Sequence, residues 1–554
     1  METFNWSTWS FMKLAEPGSH KKKTKKMRNL KAITGVIGGI LLAWSCSSNS
    51  PVKPNIIFIM SDDHAAEAIG AYGSRLAVLN PTPNLDQLAE EGILFENAFC
   101  TNSICTPSRA TIMTGQYSQT NGVLDLDGRL APEDQYLPIE MKKLGYSTAI
   151  IGKYHLKEEP SMFDYYKVLP GQGKYFNPSF HEKGKGDWPD NLVKTTGHSS
   201  DVITDLSIEY LEHRDRTKPF FLMHHYKAPH DKFEFAPRYA PYLEEVEIPE
   251  PASLYYQPNF GSEATRGSGD SLIHYIGTSV SSRHQYSNYV RLYVKDSTLG
   301  SREAAHRAYQ EYLKRYLRCV KGVDDNLGRL FDYLKEEGLW ENTVIIYTGD
   351  QGMMLGEHDY IDKRWMYEPS MRMPFIVHYP AMINESRRTG LLINNTDFAP
   401  TMITLAGGEE PDYMQGSSFI NTLMGKEENN WRTATYYRYW MHIIHHYVPA
   451  HFGIRTRDYK LIFYYGAHYL PEEEFSNFYW SKTYDGIGRH TPPAWEFYDL
   501  TKDPQEMENK YKDPAYREII TELKAQLQKQ REDLNETDKD YPVLKEIIEK
   551  NWNQ

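Results

Sequence analysis

Cysteine is scarce: Cys46, Cys100, Cys105 and Cys319 are the only four in 554 residues, too few and too scattered for a disulfide framework. Positive charge is in deficit as well. With 74 acidic against 62 basic residues the formal net charge is −12, so no nucleic-acid partner is expected. Such a chain can still hold an anion by focusing a few cations in one pocket. Long hydrophobic runs are missing too: the apolar stretch from Ala32 to Trp44 is about half of the ~20 residues a membrane span requires, and no later run is longer. What the chain does have is length for one large domain plus a smaller one, the apolar and charged balance of a globular protein, and many aromatics, 41 Tyr and 11 Trp. That aromatic excess suits flat polar ligands such as sugars.

The Ala32–Trp44 stretch follows a basic segment, Lys21 to Lys26 and Arg28, and reads as the core of an export signal. It ends in Leu41-Leu-Ala-Trp-Ser-Cys46, which looks like a bacterial lipoprotein box with Trp44 as a bulky departure. Residues 1–50 are therefore expected to be a leader, Cys46 a lipid attachment point, and the protein exported to the periplasm or the outer membrane of a bacterium. Met27 is an alternative start to Met1.

From Pro54 onward a short apolar run repeatedly gives way to polar, charged residues. Ile56 to Met60 leads into Asp62-Asp63, Ala149 to Ile151 into Lys153-Tyr-His155, Phe220 to Tyr226 towards His230, and Val344 to Thr348 into Asp350-Gln351. Continuous apolar runs bounded by Gly and Pro suit strands buried on both faces, as in a parallel sheet. Helical patterns lie between them: Leu85 to Glu91, Pro138 to Leu144, Asp201 to His213, and a long one from Arg302 to Glu337. The expected fold is α/β, a large mostly parallel sheet flanked by helices, with polar clusters outside the strand carboxyl ends. After Gly408 the texture changes. Tyr436 to Tyr447, Phe452 to Thr456 and Tyr459 to Tyr465 read as strands of a smaller antiparallel sheet, and Tyr516 to Leu534 as an amphipathic helix. The expected division is a catalytic domain over 51–415 and a C-terminal subdomain over 416–554. Phe233 to Leu299, rich in Pro, Gly, Ser and Tyr, reads as a long insertion.

The most specific signal is Cys105-Thr-Pro-Ser-Arg109 continued by Ala-Thr-Ile-Met-Thr-Gly115. Around it stand Pro54 to Asp63, Gly152-Lys-Tyr-His155, Lys227-Ala-Pro-His230, Asp350-Gln-Gly352 and His358 through Lys363. In this order they resemble the type I, Cys-type sulfatases of the alkaline phosphatase superfamily. The resemblance spans roughly residues 54 to 510, and beyond the shared motifs the chain is similar to N-acetylglucosamine-6-sulfatases.

The resemblance implies that a maturation enzyme oxidises Cys105 to formylglycine. The hydrated aldehyde carries two hydroxyls on one carbon: one attacks sulfur and displaces the alcohol, and deprotonation of the other expels sulfate. A plain Ser or Cys nucleophile lacks that exit. It also implies one Ca²⁺ held by Asp62, Asp63, Asp350 and Gln351 and touching residue 105. Hard oxygen ligands suit Ca²⁺ or Mg²⁺. The family usually has Asn or His where Gln351 stands. By the same resemblance Arg109 and Lys153 hold the nucleophile and the sulfate charge, and His155 orients or deprotonates the nucleophile. His230 and Lys363 bind sulfate, with His230 the better proton donor to the leaving alcohol because its ordinary pKa lies nearer neutrality. The expected partner is a sulfated carbohydrate. Its contacts are sought in His358, Asp359, Arg372 and in the run Arg438 to His442 with His445, His446 and His451. Other readings of these residues are a phosphonate or phosphodiester hydrolase of the same superfamily, and a glycan-binding lipoprotein with an inactive site.

Overall fold

The computed structural model describes residues 53–281, 301–471 and 490–554, with 283, 289, 290, 294, 473 and 474 between them. The leader at 1–50 and its Cys46 lie outside the described residues. Among the described residues no helix is long and apolar enough to cross a membrane.

Asn55–Asp62 (β1) lies at the centre of the fold because its apolar residues feed two cores at once. Ile56, Phe58 and Met60 point into one buried cluster, Ile57 and Ile59 into another on the opposite face. The same alternation holds in Thr343–Gly349 (β9), where Val344 and Ile346 face one core and Ile345 and Tyr347 the other. That is the signature of a strand covered on both sides. Phe220–Pro229 (β7) and β9 pair with β1 in parallel, Ser147–Lys153 (β3) pairs with β7, and Tyr165–Leu169 (β4) with β3, again in parallel. This parallel centre carries Asp62, Lys153, His230 and Asp350 at or just beyond the same edge.

The margins run otherwise. Phe375–His378 (β13) pairs antiparallel with β9 and with Ile93–Phe99 (β2). Arg372–Met373 (β12) also pairs antiparallel with β2, while Arg387–Asn394 (β14) pairs with it in parallel. At the far side Ser179–Glu182 (β5) and Leu192–Lys194 (β6) extend the sheet antiparallel to eleven strands. The helix Arg302–Glu336 covers one face with the expected stripe, from Tyr309 through Leu313, Tyr316, Val320 and Leu327 to Leu334, all fully buried. Ser301 accepts from the Ala304 N–H at 3.0 Å and starts that helix. Each fully buried aliphatic side chain favours the folded chain by roughly 1.5–3 kcal/mol over exposure, which makes the sheet a stiff platform for its edge.

The smaller sheet is antiparallel, in the order Ala434–Tyr439 (β15), His451–Thr456 (β16), Tyr459–Tyr464 (β17) and Ala494–Asp499 (β18). The run that reads as one long strand from Tyr436 stops at Tyr439. Trp440 to Tyr447 turn away instead, with Ile443, His445 and Tyr447 at positive φ. One side of this sheet packs under the helices Arg517–Asp533 and Pro542–Asn551 through Ile520, Leu523, Leu527, Leu544 and Ile548. The other side, through Tyr437, Tyr439, Ile462 and Tyr464, joins the cluster that contains Phe58 and Phe398. Cys100, Cys105 and Cys319 are unpaired and buried.

Candidate active site

Five strand ends and one helix converge on a buried ionic cluster. At the end of β1 the pairing slips between Ser61 and Asp62, and Asp63 takes a left-handed φ of 66°. The Tyr316 hydroxyl, from the long helix, donates to the Asp63 carbonyl at 2.8 Å and accepts from the Ala65 N–H at 2.9 Å. This clamp turns both carboxylates inward. Beyond β9, Asp350 presents Oδ1 to the Asp63 N–H at 3.1 Å. Carboxylate oxygens of Asp62, Asp63 and Asp350 all lie within 4.8 Å of one another, and so do donor atoms of Asp62, Cys105 and His230.

Cations interleave with these carboxylates. Arg109 Nε and Nη2 both reach Asp350 Oδ2 at 2.9 Å, Nη2 lies 3.5 Å from Asp62 Oδ1, and Nη1 donates to the Lys153 carbonyl at 2.6 Å. The Lys153 ammonium, fully buried at the end of β3, meets the Asp62 carboxylate and Gln172 Oε1, the latter at 2.6 Å. Lys363 follows Tyr360–Asp362 (β11), between Asp362 and Arg364 at positive φ, and its Nζ meets Asp63 Oδ1 at 2.6 Å. Burial alone would raise the Asp62 carboxyl, but Lys153, His230, Arg109 and Lys363 hold it well below the usual range. Asp350 moves the other way, pushed up to about 7 by burial and by the neighbouring Asp62 charge. Burial would lower the Lys363 ammonium; Asp63 and the groups around it lift it well above its ordinary value.

Cys105 opens the helix Cys105–Thr114, all of it buried, with Ile104 in extended conformation before it. Ser108 donates to the Asp350 carbonyl and accepts from Asn395 Nδ2 at 2.9 Å, which fixes this helix to the ends of β9 and β14. Burial pushes the Cys105 thiol far above its normal pKa, although Lys363 opposes that. An unmodified thiol here is a poor nucleophile. His155 sits at positive φ with Nδ1 3.4 Å from Thr106 Oγ1, beside the nucleophile's own turn. Burial, with Lys153 and Arg109 close by, keeps it neutral. His230 follows the Ala228–Pro229 bond; its Nε2 lies 3.7 Å from Asp63 Oδ2, and its Nδ1 contacts Asp231 Oδ1 at 2.5 Å.

Gln351 donates its amide nitrogen to Asp63 and, at 2.7 Å, to Asp350 Oδ1, while its buried Oε1 has no hydrogen-bond partner, like Asp62 Oδ1. Half a turn of the amide exchanges the two atoms. Four hard-oxygen side chains around one point, two with an unsatisfied buried oxygen, fit a Ca²⁺- or Mg²⁺-type cation.

The Sulfatase family model matches residues 54–408, and a model described as N-sulphoglucosamine sulphohydrolase, C-terminal, matches 356–479 and 481–533. The chain belongs to the sulfatase family. An N-acetylglucosamine-6-O-sulfatase of Bacteroides thetaiotaomicron is 36% identical over 523 residues, 88% of each chain. The human N-acetylglucosamine-6-sulfatase is 26% identical over 426 residues, 73% of this chain and 70% of that one. A solved structure in complex with its substrate D-glucosamine-2-N,6-O-disulfate is similar with a TM-score of 0.74 at 34% identity, covering 88% of this chain and 99% of that one. A phosphonate monoester hydrolase of Agrobacterium radiobacter, with a TM-score of 0.62 at 20% identity and covering 87% and 96%, shares the fold.

Within this sulfatase every expected site residue falls in the cluster: Cys105, Arg109, Lys153, His155, His230, Lys363, Asp62, Asp63, Asp350 and Gln351. The residues expected to reach the sugar divide. Arg372 pairs with Glu67 at 2.6 Å, and His358 stacks flat on Phe260 at 3.7 Å between centroids. Asp359 is bound by Ser281 and Arg283. Arg438 is buried between Glu536 and Asp538 and holds the C-terminal segment onto β15. His442 accepts from the Ala450 N–H at 3.1 Å, and His451 bridges the Met366 N–H and the Pro449 carbonyl. These positions are spent on the fold. Only His445 and His446 stay near the cluster: His445 Nδ1 lies 3.3 Å from Arg364 Nη2, and His446 Nδ1 lies 3.5 Å from Asp362 Oδ2. Gln172 and Asp231 were not foreseen, although Pro170-Gly-Gln-Gly173 is a plain turn signal.

Proposed function

We propose that this sulfatase removes the 6-O-sulfate of N-acetylglucosamine, or of a closely related sulfated glucosamine, in glycosaminoglycan or mucin-type glycans. The observation that carries the reading is the likeness, over nearly the whole chain, to a sulfatase solved with glucosamine-2-N,6-O-disulfate, joined to the cation cluster around Cys105. In this reading a maturation enzyme converts Cys105 to formylglycine, and residues 1–50 export the chain, with Cys46 as a lipid anchor on the periplasmic or outer-membrane side.

A Ca²⁺ held by Asp62, Asp63, Asp350 and Gln351 would supply positive charge to the sulfate oxygens, and formylglycine a hydroxyl nucleophile. The rest falls to the chain's own side chains. Arg109, locked by Asp350, and Lys153, locked by Asp62, hold the reacting group and sulfate against the strand ends. Lys363, held by Asp63, neutralises sulfate charge. His155, neutral beside Thr106, can take a proton from the group at position 105. His230 aims Nε2 into the cluster, where it can give a proton to the departing sugar oxygen.

Matured full-length protein, assayed with Ca²⁺ on a panel of sulfated mono- and disaccharides and matched phosphate esters, should favour the 6-O-sulfated glucosamines. Over phosphate the preference in kcat/KM should reach at least ~10²-fold, beyond what uniform binding gives. Faster cleavage of phosphate, or of galactosamine sulfates alone, would refute the reading. His230→Ala should cost about 10²- to 10⁴-fold in kcat on the sugar sulfate, the usual worth of a positioned proton donor. On 4-nitrophenyl sulfate, whose leaving group departs without a proton, the loss should stay under about tenfold. Equal losses on both would remove His230 from the acid role.

A further inference from the structure

Lys153 is a fully buried cation, yet one of its two close side-chain partners stands at the surface. Its ammonium is held on the inner side by Asp62 and on the outer side by Gln172 Oε1 at 2.6 Å, and Gln172 is exposed. An ammonium only donates, so the amide must present its oxygen to Lys153. The Gln172 amide nitrogen is then a pair of N–H donors with no hydrogen-bond partner among the described residues, on the exposed side of the cluster.

The backbone is built to put it there. β4 runs parallel to β3 with Leu169 opposite Lys153, so the chain leaves β4 at the same edge of the sheet. Pro170 to Gly173 then close a turn, with the Gly173 N–H donating to the Pro170 carbonyl at 2.9 Å. Gly171 and Gly173 sit at φ of 52° and 68°, which side chains rarely adopt, and a Cβ on Gly173 would come within 2.7 Å of Leu169 Cδ1. Both glycines favour the turn that hands Gln172 back to Lys153, and Gly173 leaves no room for a side chain.

The choice of residue type is informative. A site for a sulfate ester needs something that accepts from a cation and donates to an anion at once. Among side chains that stay neutral at every working pH, a primary amide does this with two separate atoms. A carboxylate would satisfy Lys153 but turn a negative charge on the incoming sulfate.

We propose that Gln172 is a substrate-binding residue: its Nε2–H donates to an oxygen of the sulfate ester while Oε1 orients the Lys153 ammonium. This rests on the sulfatase function proposed above and adds to it a contact from the turn after β4.

The test uses matured full-length enzyme with Ca²⁺, 6-O-sulfo-N-acetylglucosamine as substrate and inorganic sulfate as competing anion. Gln172→Ala should raise both KM and the sulfate inhibition constant about tenfold while kcat falls less than about threefold, the split expected of a binding contact. Gln172→Glu, nearly isosteric, should be worse than Gln172→Ala in both constants, with the melting temperature of both variants unchanged. Calorimetric binding of the same sugar to Cys105→Ala protein, with and without Gln172→Ala, reads the contact without turnover, and about a tenfold weakening is expected. KM, sulfate inhibition and calorimetric affinity all unmoved in Gln172→Ala, or Gln172→Glu binding no worse than Gln172→Ala, would overturn the assignment. Those outcomes leave the function standing; a matured wild-type enzyme that binds the sugar through Gln172 but does not desulfate it would refute the function and keep the contact.

Discussion

Cys105→Ala is expected to abolish turnover, by at least about 10⁴-fold in kcat, and to leave the fold and the metal site in place. The size of the loss follows from where the residue sits. Cys105 is the first residue of a buried helix whose next turn carries Arg109, and its side chain is enclosed by the groups of Asp62, His230 and Lys363. None of the described neighbours is placed to substitute as nucleophile. Ser108 is spent on the Asp350 carbonyl and on Asn395, and Thr106 faces His155. The cations that remain can still bind sulfate, so the variant should retain substrate affinity while losing turnover. Burial also pushes the thiol up, so an unconverted cysteine should be nearly as inert as the alanine variant. Two preparations therefore separate the possibilities. Protein made without a maturation enzyme should show an intact thiol by peptide mass spectrometry across Asn102 to Arg109 and negligible activity. Protein made with it should show the aldehyde and full activity. Full activity on an intact thiol would sink the nucleophile assignment.

The comparison of these residues with the sequence shows where reading along a chain succeeds. β1, β3, β7 and β9 were legible because strands covered on both faces carry short continuous apolar runs, each followed by polar residues. The long helix was legible because its apolar stripe is regular from Tyr309 to Leu334. The margins of the sheet were not. β5, β6 and β12 are two to four residues long, too short to show a period, and β12 pairs with β2, far back along the chain. The same reason explains the residues misplaced in the sugar pocket. Arg438 and the histidines after it cluster in sequence, which suggested a common role. Whether a buried arginine is a ligand or a fastening depends on what faces it, and Glu536 lies 98 residues away. Gln172 is the converse: its turn was visible, but the lysine it serves belongs to another strand.

Asp350→Ala should remove both the metal and the activity, and the charge pattern explains why both go together. Asp62, Asp63 and Asp350 are interleaved with Arg109, Lys153 and Lys363, three carboxylates against three cations. With Asp350 ionised these six charges cancel, and a divalent cation entering among them would add the positive charge that suits an anionic sulfate ester. Removing Asp350 takes away one hard-oxygen donor and strips Arg109 of its 2.9 Å partner, leaving Asp62 at 3.5 Å. Leaving a buried charge half-paired costs about 3–5 kcal/mol at worst, so some destabilisation is expected in Asp350→Ala. Asp350→Asn keeps the shape and the contact to Arg109 while deleting the charge, and is the cleaner variant. Wild-type protein titrated with Ca²⁺ should melt higher as the ion saturates, by about 2.7 kcal/mol of added stability at a hundred times the dissociation constant. In both variants that calcium-dependent shift should vanish, with kcat/KM down by about 10²-fold or more. An Asp350→Asn protein that still gains stability from Ca²⁺ as the wild type does, and still turns over, would show that Asp350 serves Arg109 and not a metal.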